Sequence, residues 1–196
     1  SAWKVHGEAF DSVILATAAS DAIRLMKVMA QVATATVCQD ILKWTRITQG
    51  LEFEAITTVY AWAPEATLTH TMVTLRSHPG DESTPPAPAQ FVFDRGQLGG
   101  PRGLLAFVVS ASNGDRETLQ EQVLRQAKAQ LGLKLQAIQT IVEKRATFAC
   151  TPGLVRPQQR IAPGLIACGD YVQGPYPATL EGAIRSGQST LTALGH

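Results

Sequence analysis

Hydrophobic positions recur with two different periods along this chain, which predicts both strands and helices. The run Phe10–Thr17 is short, rich in aliphatic residues and closed by small residues, a pattern typical of a buried strand. Apolar residues then recur at helical spacing from Ala22 to Met29, behind two N-cap candidates, Ser20 and Asp21. The pattern therefore predicts a strand followed by a helix that ends near residue 33.

The middle of the chain predicts a group of strands with one helix. Alternating or β-branched runs indicate five strands, at residues 53–62, 67–76, 90–93, 104–110 and 137–148. Four prolines between His78 and Pro88 exclude regular structure there, because proline lacks a backbone donor and restricts the residue before it. Asp115 is the predicted N-cap of the clearest helix, residues 116–131, and Gly132 is its predicted end.

The last part of the chain predicts a return to the pattern with which the chain begins. A short buried strand at residues 165–168 runs into Gly169 and Asp170, and residues 178–194 have helical spacing after a turn rich in proline and glycine. The first and last segments are typical of one α/β layer, while the middle is typical of an antiparallel or mixed sheet with helices. The order of elements therefore predicts an α+β fold that contains a fragment of an α/β layer.

Composition and charge exclude several classes of protein. With 45% hydrophobic and 17% charged residues the chain is not disordered as a whole, and a net charge of +1 lacks the basic surplus of a nucleic-acid binder. The three cysteines form no CxxC pair, so neither a metal site nor a disulfide framework is predicted. No apolar stretch approaches the roughly 20 residues of a membrane-spanning helix, and the start is unlike a leader. A cytoplasmic location is expected, with peripheral membrane contact left open.

The strand–turn–helix segment near the end of the chain carries the candidate chemistry. Gly169 would allow a ligand to approach the backbone closely, and Asp170 follows at the carboxyl end of a strand, where α/β sheets bind ligands. The amides of Ala178, Thr179 and Leu180 are expected in the first turn of the last helix, where unpaired N–H donors suit an anionic or electron-rich group. From spacing alone, a packing unit with glycine turns explains the segment equally well.

The amino-acid sequence of this segment resembles the carboxyl-terminal flavin-binding signature of the amine oxidase and phytoene desaturase superfamily of FAD enzymes. The similarity covers the stretch Leu165–Gly187, and Phe10–Thr17 is similar to the strand at which that family's FAD domain re-forms. Two further segments, Gln90-Phe-Val-Phe-Asp-Arg-Gly96 and Glu143-Lys-Arg-Ala-Thr-Phe-Ala-Cys-Thr-Pro-Gly153, resemble the squalene-associated branch, the hydroxysqualene dehydroxylases.

The resemblance implies a role for each residue of the signature. It implies that Gly169 and Asp170 lie against the ribityl and pyrophosphate region of FAD, with Asp170 hydrogen-bonded to a flavin-chain hydroxyl. Pro177 would shape the turn beneath the ring, and the amides of Ala178, Thr179 and Leu180 would lie near its pyrimidine edge. The implied activity is FAD-dependent oxidoreduction of a polyprenyl chain, either conversion of hydroxysqualene to squalene or desaturation of the phytoene type.

The family's GxGxxG fingerprint is missing from this chain. The nearest glycine cluster, Gly96–Gly103, has the wrong spacing and lies between two predicted strands. The chain is therefore expected to be the carboxyl-terminal part of a longer enzyme, inactive alone, with an incomplete FAD site. Residues 1–20 and 148–196 would be two segments of a Rossmann-like FAD domain, and residues 21–147 the substrate-binding domain. Its expected partners are the missing amino-terminal half and an apolar polyprenyl substrate, and self-association through the cut surface stays open.

Three alternatives remain at the level of the sequence. Asp94 and Arg95 are weak catalytic candidates: Asp94 could assist loss of a hydroxyl, but such a pair at a strand end is also typical of a turn cap and a solvated cation. For the chain as a whole, one alternative is a stand-alone lipid-binding or assembly module that kept the fold without catalysis. The other is a flavin amine oxidase.

Overall fold

The computed structural model describes residues 3–193, and the fold over these residues is α+β. Four helices are present in this range: α1 (Ala19–Ala30), α2 (Ala35–Gln49), α3 (Arg116–Leu131) and α4 (Leu180–Ala193). The strands of the same range are β1 (Trp3–Val5), β2 (Glu8–Phe10), β3 (Val13–Leu15), β4 (Phe53–Trp62), β5 (Met72–Thr74), β6 (Phe91–Asp94), β7 (Leu104–Val109), β8 (Gln136–Phe148), β9 (Arg160–Ala162) and β10 (Leu165–Ala167).

The chain divides into two compact units. Unit 1 consists of Ser1–Glu52 and Phe148–His196, and unit 2 consists of Phe53–Thr147. Residues 21–52, which the sequence grouped with the central segment, therefore belong to the same unit as the two ends of the chain, because α1 and α2 lie there. The assignment of flavin binding and substrate binding to separate domains remains a prediction.

The sheet of unit 1 joins the two ends of the chain, as the sequence pattern predicted. Its strand order is β3-β10-β9, with β3 and β10 parallel and Val13 opposite Leu165. Strand β9 adds antiparallel to β10. Strands β1 and β2 form a separate hairpin whose two turn residues, His6 and Gly7, both have positive φ, as a two-residue hairpin turn requires.

Helices α1 and α2 supply the helical core of unit 1. Met26 of α1 and Ile41 of α2 are fully buried, and Trp44 is 4% exposed while its indole N–H donates to the carbonyl of Gln158 at 2.8 Å. Helix α1 begins at Ala19 after Ala18, which makes no side-chain cap bond. The prediction of Ser20 and Asp21 as N-caps is therefore wrong, since both lie inside the first turn.

Unit 2 is a five-stranded sheet with α3 packed on one face. The strand order is β5-β6-β7-β4-β8, and β5, β6, β7 and β4 pair antiparallel in turn. Residues of α3 and of the strands pack in one buried cluster, which includes Val59, Leu105, Phe107, Leu119, Val123 and Ala127. Asp115 accepts the N–H of Thr118 at 2.8 Å and Gly132 ends α3 with a φ of 69°, so both predicted caps are confirmed.

Two glutamines of α3 fix the base of the proline-rich loop. The buried amide of Gln126 accepts the N–H of Ala89 at 2.8 Å and donates to the carbonyl of Ala89 at 2.8 Å, which reproduces the pairing of one strand residue with another. One turn later, Gln130 makes the same reciprocal pair with Arg76, at 2.9 and 2.7 Å. Helix α3 therefore holds both ends of the loop, within which His78 and Ala87 form an isolated bridge.

Candidate functional site

The predicted signature begins where the parallel strands of unit 1 end. After β10, the N–H of Cys168 donates to the carbonyl of Leu15 at 2.9 Å and continues the pairing with β3 for one further residue. Gly169 and Asp170 follow directly, so they lie at the carboxyl ends of β3 and β10. This edge of a parallel sheet is the place where α/β folds bind ligands.

Gly169 is required by the protein itself. Its φ of 155° is unfavourable for other residues, and a Cβ there would lie 2.7 Å from the ring of Tyr171. Tyr171 is 2% exposed and packs edge-on against Trp44 with 6.4 Å between ring centroids. The space beside Gly169 is therefore filled by a side chain of unit 1. A direct contact of Gly169 with a cofactor stays a prediction, and the structure gives a second reason for the glycine.

Asp170 lines an open cleft of unit 1. The cleft has a volume of about 410 Å³ and lies between residues 170–175 and α4, with Gly174, Arg185, Ser186 and Ser189 among its lining residues. Burial raises the pKa of the Asp170 carboxyl, while its own N–H, the N–H of Tyr171 and the positive charge of Arg156 act in the opposite direction. The structure thus places a half-buried carboxyl group on a cleft lined by polar groups.

Arg156 holds the segment that follows Asp170, and no pattern in the sequence indicated it. Its guanidinium donates to the backbone carbonyls of Asp170 at 3.4 Å, of Val172 at 2.7 Å and of Gly174. From the same stretch, the carbonyl of Pro157 accepts the N–H of Gln173 at 2.7 Å. Residues 170–174, which we call the elbow, have no regular secondary structure, and these bonds help to fix their backbone.

Helix α4 is tied to Gly169 and to Gln159 by hydroxyl and amide groups. The N–H of Gly169 donates to Ser186 Oγ at 3.0 Å, and the Gln159 amide donates to the carbonyl of Ser186 at 2.6 Å. Ser189 Oγ in turn donates to Gln159 Oε1 at 3.0 Å. The end of β10 and the middle of α4 are therefore fixed to one another within unit 1.

The turn before α4 has an unusual backbone. Tyr176 and Ala178 have φ values of 55° and 57°, a left-handed conformation that costs residues with a side chain about 1–3 kcal/mol each, and Pro177 lies between them. The Thr179 hydroxyl donates to the carbonyl of Tyr176 at 2.7 Å and accepts the N–H of Gly182 at 3.0 Å. Thr179 therefore both closes this turn and caps α4.

The helix begins two residues later than predicted. It starts at Leu180, so Thr179 is the N-cap and Ala178 precedes the helix. Of the three amides expected in the first turn, only that of Leu180 belongs to it. Over residues 3–193, neither the N–H of Leu180 nor that of Glu181 has an acceptor within the protein, and Leu180 is 86% exposed. Two free donors at the positive end of the helix thus face solvent.

Asp94 and Arg95 belong to unit 2, whereas the residues of the signature belong to unit 1. The Asp94 carboxylate is 2% exposed and accepts from the N–H of Leu68 at 3.0 Å, from Thr67 Oγ1 at 3.3 Å and from Gln97 through its N–H and its side-chain amide at 3.2 and 2.9 Å. Burial acts to raise its pKa, but these hydrogen bonds outweigh burial and lower it. The contacts account for Asp94 as a turn cap, and Arg95 is exposed. A catalytic role for either stays a prediction that no contact requires.

The second face of the unit 2 sheet carries apolar and aromatic side chains. The pairing places Met72, Phe93, Ala106 and Tyr60 in one row across four strands, and Phe91 and Val108 in the next. Because successive side chains of a strand point to opposite faces, this face is the one opposite α3. Phe91, Phe93 and Tyr60 are only partly buried, and Met72 is 47% exposed.

Comparison with known proteins gives a family and a fold. A family model described as flavin containing amine oxidoreductase matches residues 3–191. No curated protein matches the chain. The crystal structure of an oxidoreductase from Methanosarcina mazei is similar with a TM-score of 0.63 at 16% identity, over 94% of this chain and 43% of that chain. A protein from Pyrococcus furiosus is similar with a TM-score of 0.52 at 13% identity, over 78% of this chain and 34% of that one.

These two structural similarities establish the fold alone. The two solved chains are much longer than this one. The chain spans less than half the length of both solved structures. Over residues 3–193, no helix has the length and apolar character needed to cross a membrane.

Proposed function

The chain belongs to the family of flavin containing amine oxidoreductases, and from this premise we propose that it is the carboxyl-terminal part of an FAD-dependent oxidoreductase. Unit 1 would contribute one side of the FAD site, and unit 2 would bind the substrate. The adenine and pyrophosphate side would come from a GxGxxG segment that this chain lacks. The observation that carries the proposal is the position of Asp170, on a cleft at the carboxyl ends of parallel strands.

The residues of unit 1 suit the polyhydroxylated, anionic part of a flavin cofactor. The Asp170 carboxylate can accept a hydrogen bond from a hydroxyl group, and such bonds to a charged acceptor are stronger than those between neutral groups. The free N–H groups of Leu180 and Glu181 can donate to an electron-rich edge, which the dipole of α4 favours. When bound, FAD would supply the hydride or electron transfer itself.

The structure around the turn supports preorganised donors. Tyr176 and Ala178 are held in a costly conformation by the Thr179 hydroxyl and by the close approach of Gly182, and strain of this kind occurs most often at functional sites. Pro177 adds rigidity, since its φ is fixed by its ring. The amides of the turn and of α4 would therefore need little reorganisation when a ligand binds.

For the substrate we propose an apolar polyprenyl chain, with hydroxysqualene as the first choice. The segments Gln90–Gly96 and Glu143–Gly153 support the squalene-associated branch by resemblance. The aromatic face of the unit 2 sheet supports an apolar ligand, because partly exposed Phe91, Phe93 and Tyr60 offer a surface for hydrocarbon. In the dehydroxylase reaction, a hydride from reduced FAD would replace the hydroxyl of hydroxysqualene, which would take up a proton and leave as water, to give squalene. Peripheral contact with a membrane would suit such a substrate.

The flavin proposal is tested by the flavin content of Asp170 variants. The gene is first read upstream of Ser1 for an in-frame GxGxxG segment, and the polypeptide that contains it is purified. We expect stoichiometric FAD in this protein and none in the 196-residue chain alone. Asp170→Ala should weaken FAD binding about 10- to 100-fold, the effect of one lost hydrogen bond to a charged group. Asp21→Ala is the control, since the side chain of this exposed residue of unit 1 pairs with Arg24 at 3.4 Å.

The substrate proposal is tested by comparing three compounds. The FAD-loaded protein is assayed with hydroxysqualene, phytoene and a primary amine under oxidising and reducing conditions. Turnover of hydroxysqualene to squalene supports the dehydroxylase, and turnover of the amine alone supports a flavin amine oxidase instead. A protein with a start codon next to Ser1, no flavin and bound lipid would be a non-catalytic module, and would refute both.

A further inference from the structure

Arg156 makes three hydrogen bonds to the backbone of the elbow, which is part of the proposed FAD site. Its guanidinium binds the carbonyls of residues 170, 172 and 174, which are alternate residues of the elbow. Guanidinium is planar and offers five N–H donors in a fixed fork, so one side chain can hold several acceptors in one geometry. An ammonium group in its place would keep the charge and lose the fork.

The elbow depends on these bonds for its shape. Residues 170–174 belong to no helix or strand, so neither element fixes the backbone. Besides Arg156, the described backbone contact of this segment is the N–H of Gln173 with the carbonyl of Pro157, which is the next residue along from Arg156. Pro157 is fully buried, which anchors this stretch in unit 1. The elbow is thus held by the bonds of Arg156 and Pro157 together with the burial of Tyr171 and Val172, each 2% exposed.

Asp170 is the first residue of the elbow and carries the proposed cofactor contact. The carbonyl of Asp170 is itself one of the three that Arg156 contacts, at 3.4 Å, and the shorter bond to the Val172 carbonyl at 2.7 Å fixes the backbone two residues further on. The positive charge of Arg156 also favours the ionised carboxylate against the effect of burial. The carboxylate, as an acceptor only, is the form that can bind a hydroxyl group of a ligand.

We propose that Arg156 is a positioning residue of the FAD site: it fixes residues 170–174 and thereby sets the place of the Asp170 carboxylate. The inference rests on the proposed function, since it gives the elbow a purpose in flavin binding. Arg156 itself would act through the elbow and is not required to touch the cofactor.

The test compares Arg156→Lys and Arg156→Gln with Arg160→Gln. Arg160 is exposed on β9, in the same unit and close in sequence, and serves as the matched control. The first measurement is the dissociation constant for FAD in the longer polypeptide. We expect a loss of about tenfold or more in Arg156→Gln, the equivalent of one hydrogen bond to a charged group. Arg156→Lys should fall between this variant and the wild type, and Arg160→Gln should bind as the wild type does.

A second pair of measurements uses the 196-residue chain without flavin. Amide hydrogen exchange at Gln173 should accelerate in both Arg156 variants, because the elbow loses its fork of bonds. The pKa of Asp170, followed by carboxyl-carbon NMR, should rise in Arg156→Gln and stay near the wild-type value in Arg156→Lys, which keeps the charge. If Arg156 had a merely structural role, both substitutions would lower the melting temperature, and the pKa of Asp170 would not differ between Arg156→Gln and Arg156→Lys.

The outcomes separate this inference from the proposed function. If the wild-type polypeptide binds FAD and Arg156→Gln binds it equally well, the inference is overturned and the function stands. If the wild-type polypeptide binds no FAD, both are overturned. Should Arg156→Gln fail to fold, Arg156→Lys decides the matter: folded protein with unchanged FAD affinity and unchanged exchange at Gln173 refutes the positioning role.

Discussion

Two glycines of α4 allow a direct test of how the turn before this helix is built. A Cβ at Gly182 would lie 2.1 Å from the carbonyl oxygen of Tyr176, whereas a Cβ at Gly187 would have no atom of residues 3–193 within 4 Å. Carbon and oxygen atoms pack no closer than about 3.3 Å, so the Tyr176 carbonyl would have to move by about 1.2 Å in Gly182→Ala. The same change at Gly187 meets open space.

The expected free energies of unfolding follow from these distances. Alanine in place of glycine in a helix contributes about 1 kcal/mol of stability at either position. At Gly182, overpacking costs about 1–3 kcal/mol. Displacing the Tyr176 carbonyl also disturbs the Thr179 hydroxyl, whose bonds to Tyr176 and Gly182 are worth about 1 kcal/mol each. With both bonds lost, Gly182→Ala should therefore lose about 2–4 kcal/mol net, and Gly187→Ala should gain up to about 1 kcal/mol.

Urea unfolding followed by far-ultraviolet circular dichroism measures both values on the same chain. The two substitutions are chemically identical and lie in one helix, so effects on the unfolded chain cancel between them. The reasoning fails if Gly182→Ala is as stable as Gly187→Ala, because the turn would then adapt without cost. In that case Thr179 and Gly182 would not hold Tyr176 in its left-handed conformation.

Two further predictions concern unit 2. Asp94→Asn should lower the free energy of unfolding at neutral pH. Because the pKa of Asp94 is below its ordinary value of 3.8, the ionised carboxylate stabilises the wild type above that pH, and this stabilisation is lost as the pH falls through the folded pKa. The stability difference between the two proteins should therefore shrink in unfolding curves recorded at acid pH. A pH-independent difference would contradict this. Gln126→Ala should lower the free energy of unfolding in urea by about 1–3 kcal/mol, since the backbone groups of Ala89 lose their partner. The control Gln122→Ala, at a half-buried position one turn earlier in α3, should change it little. Equal effects of the two substitutions would refute the pairing of Gln126 with Ala89.

The sequence predicted best where local signals and burial agree. Helix α3 has an aspartate cap, a glycine end and one apolar face, and its bounds match residues 116–131. Strand β4 matches residues 53–62, because β-branched and aromatic residues fill it. Strands β3 and β10 were predicted as two short apolar runs belonging to one α/β layer, and the structure shows that they pair with one another in parallel.

Helix α2 was not predicted, because its hydrophobic residues do not recur at a clear helical spacing. Its buried face includes Thr45 and Thr48 beside Ile41 and Trp44, so polar residues occupy helical core positions. Its N-cap, Thr34, makes no side-chain cap bond. Threonine also has a low helix propensity. Neither periodicity nor capping therefore indicated this helix.

The residues around Asp170 could be predicted only in part. The signature itself was visible, but the start of α4 depends on Thr179, whose hydroxyl caps the helix and so excludes Ala178 from it. The segment 67–76 forms only β5, since the N–H of Leu68 donates to Asp94 instead of a neighbouring strand. Arg156 could not be predicted, because it contacts Val172 from 16 residues away in sequence and helix or strand periodicity indicates only local contacts.

The parallel pairing of β3 with β10 sets the order in which this chain can mature. Val13 meets Leu165 only after the whole of Phe53–Thr147 has been synthesised between them. A nascent chain that has reached Thr147 carries every strand and the helix of unit 2, while its amino-terminal residues still await their partner on the ribosome. Strand β3 can therefore complete this parallel pair only late in synthesis, after unit 2 has been made.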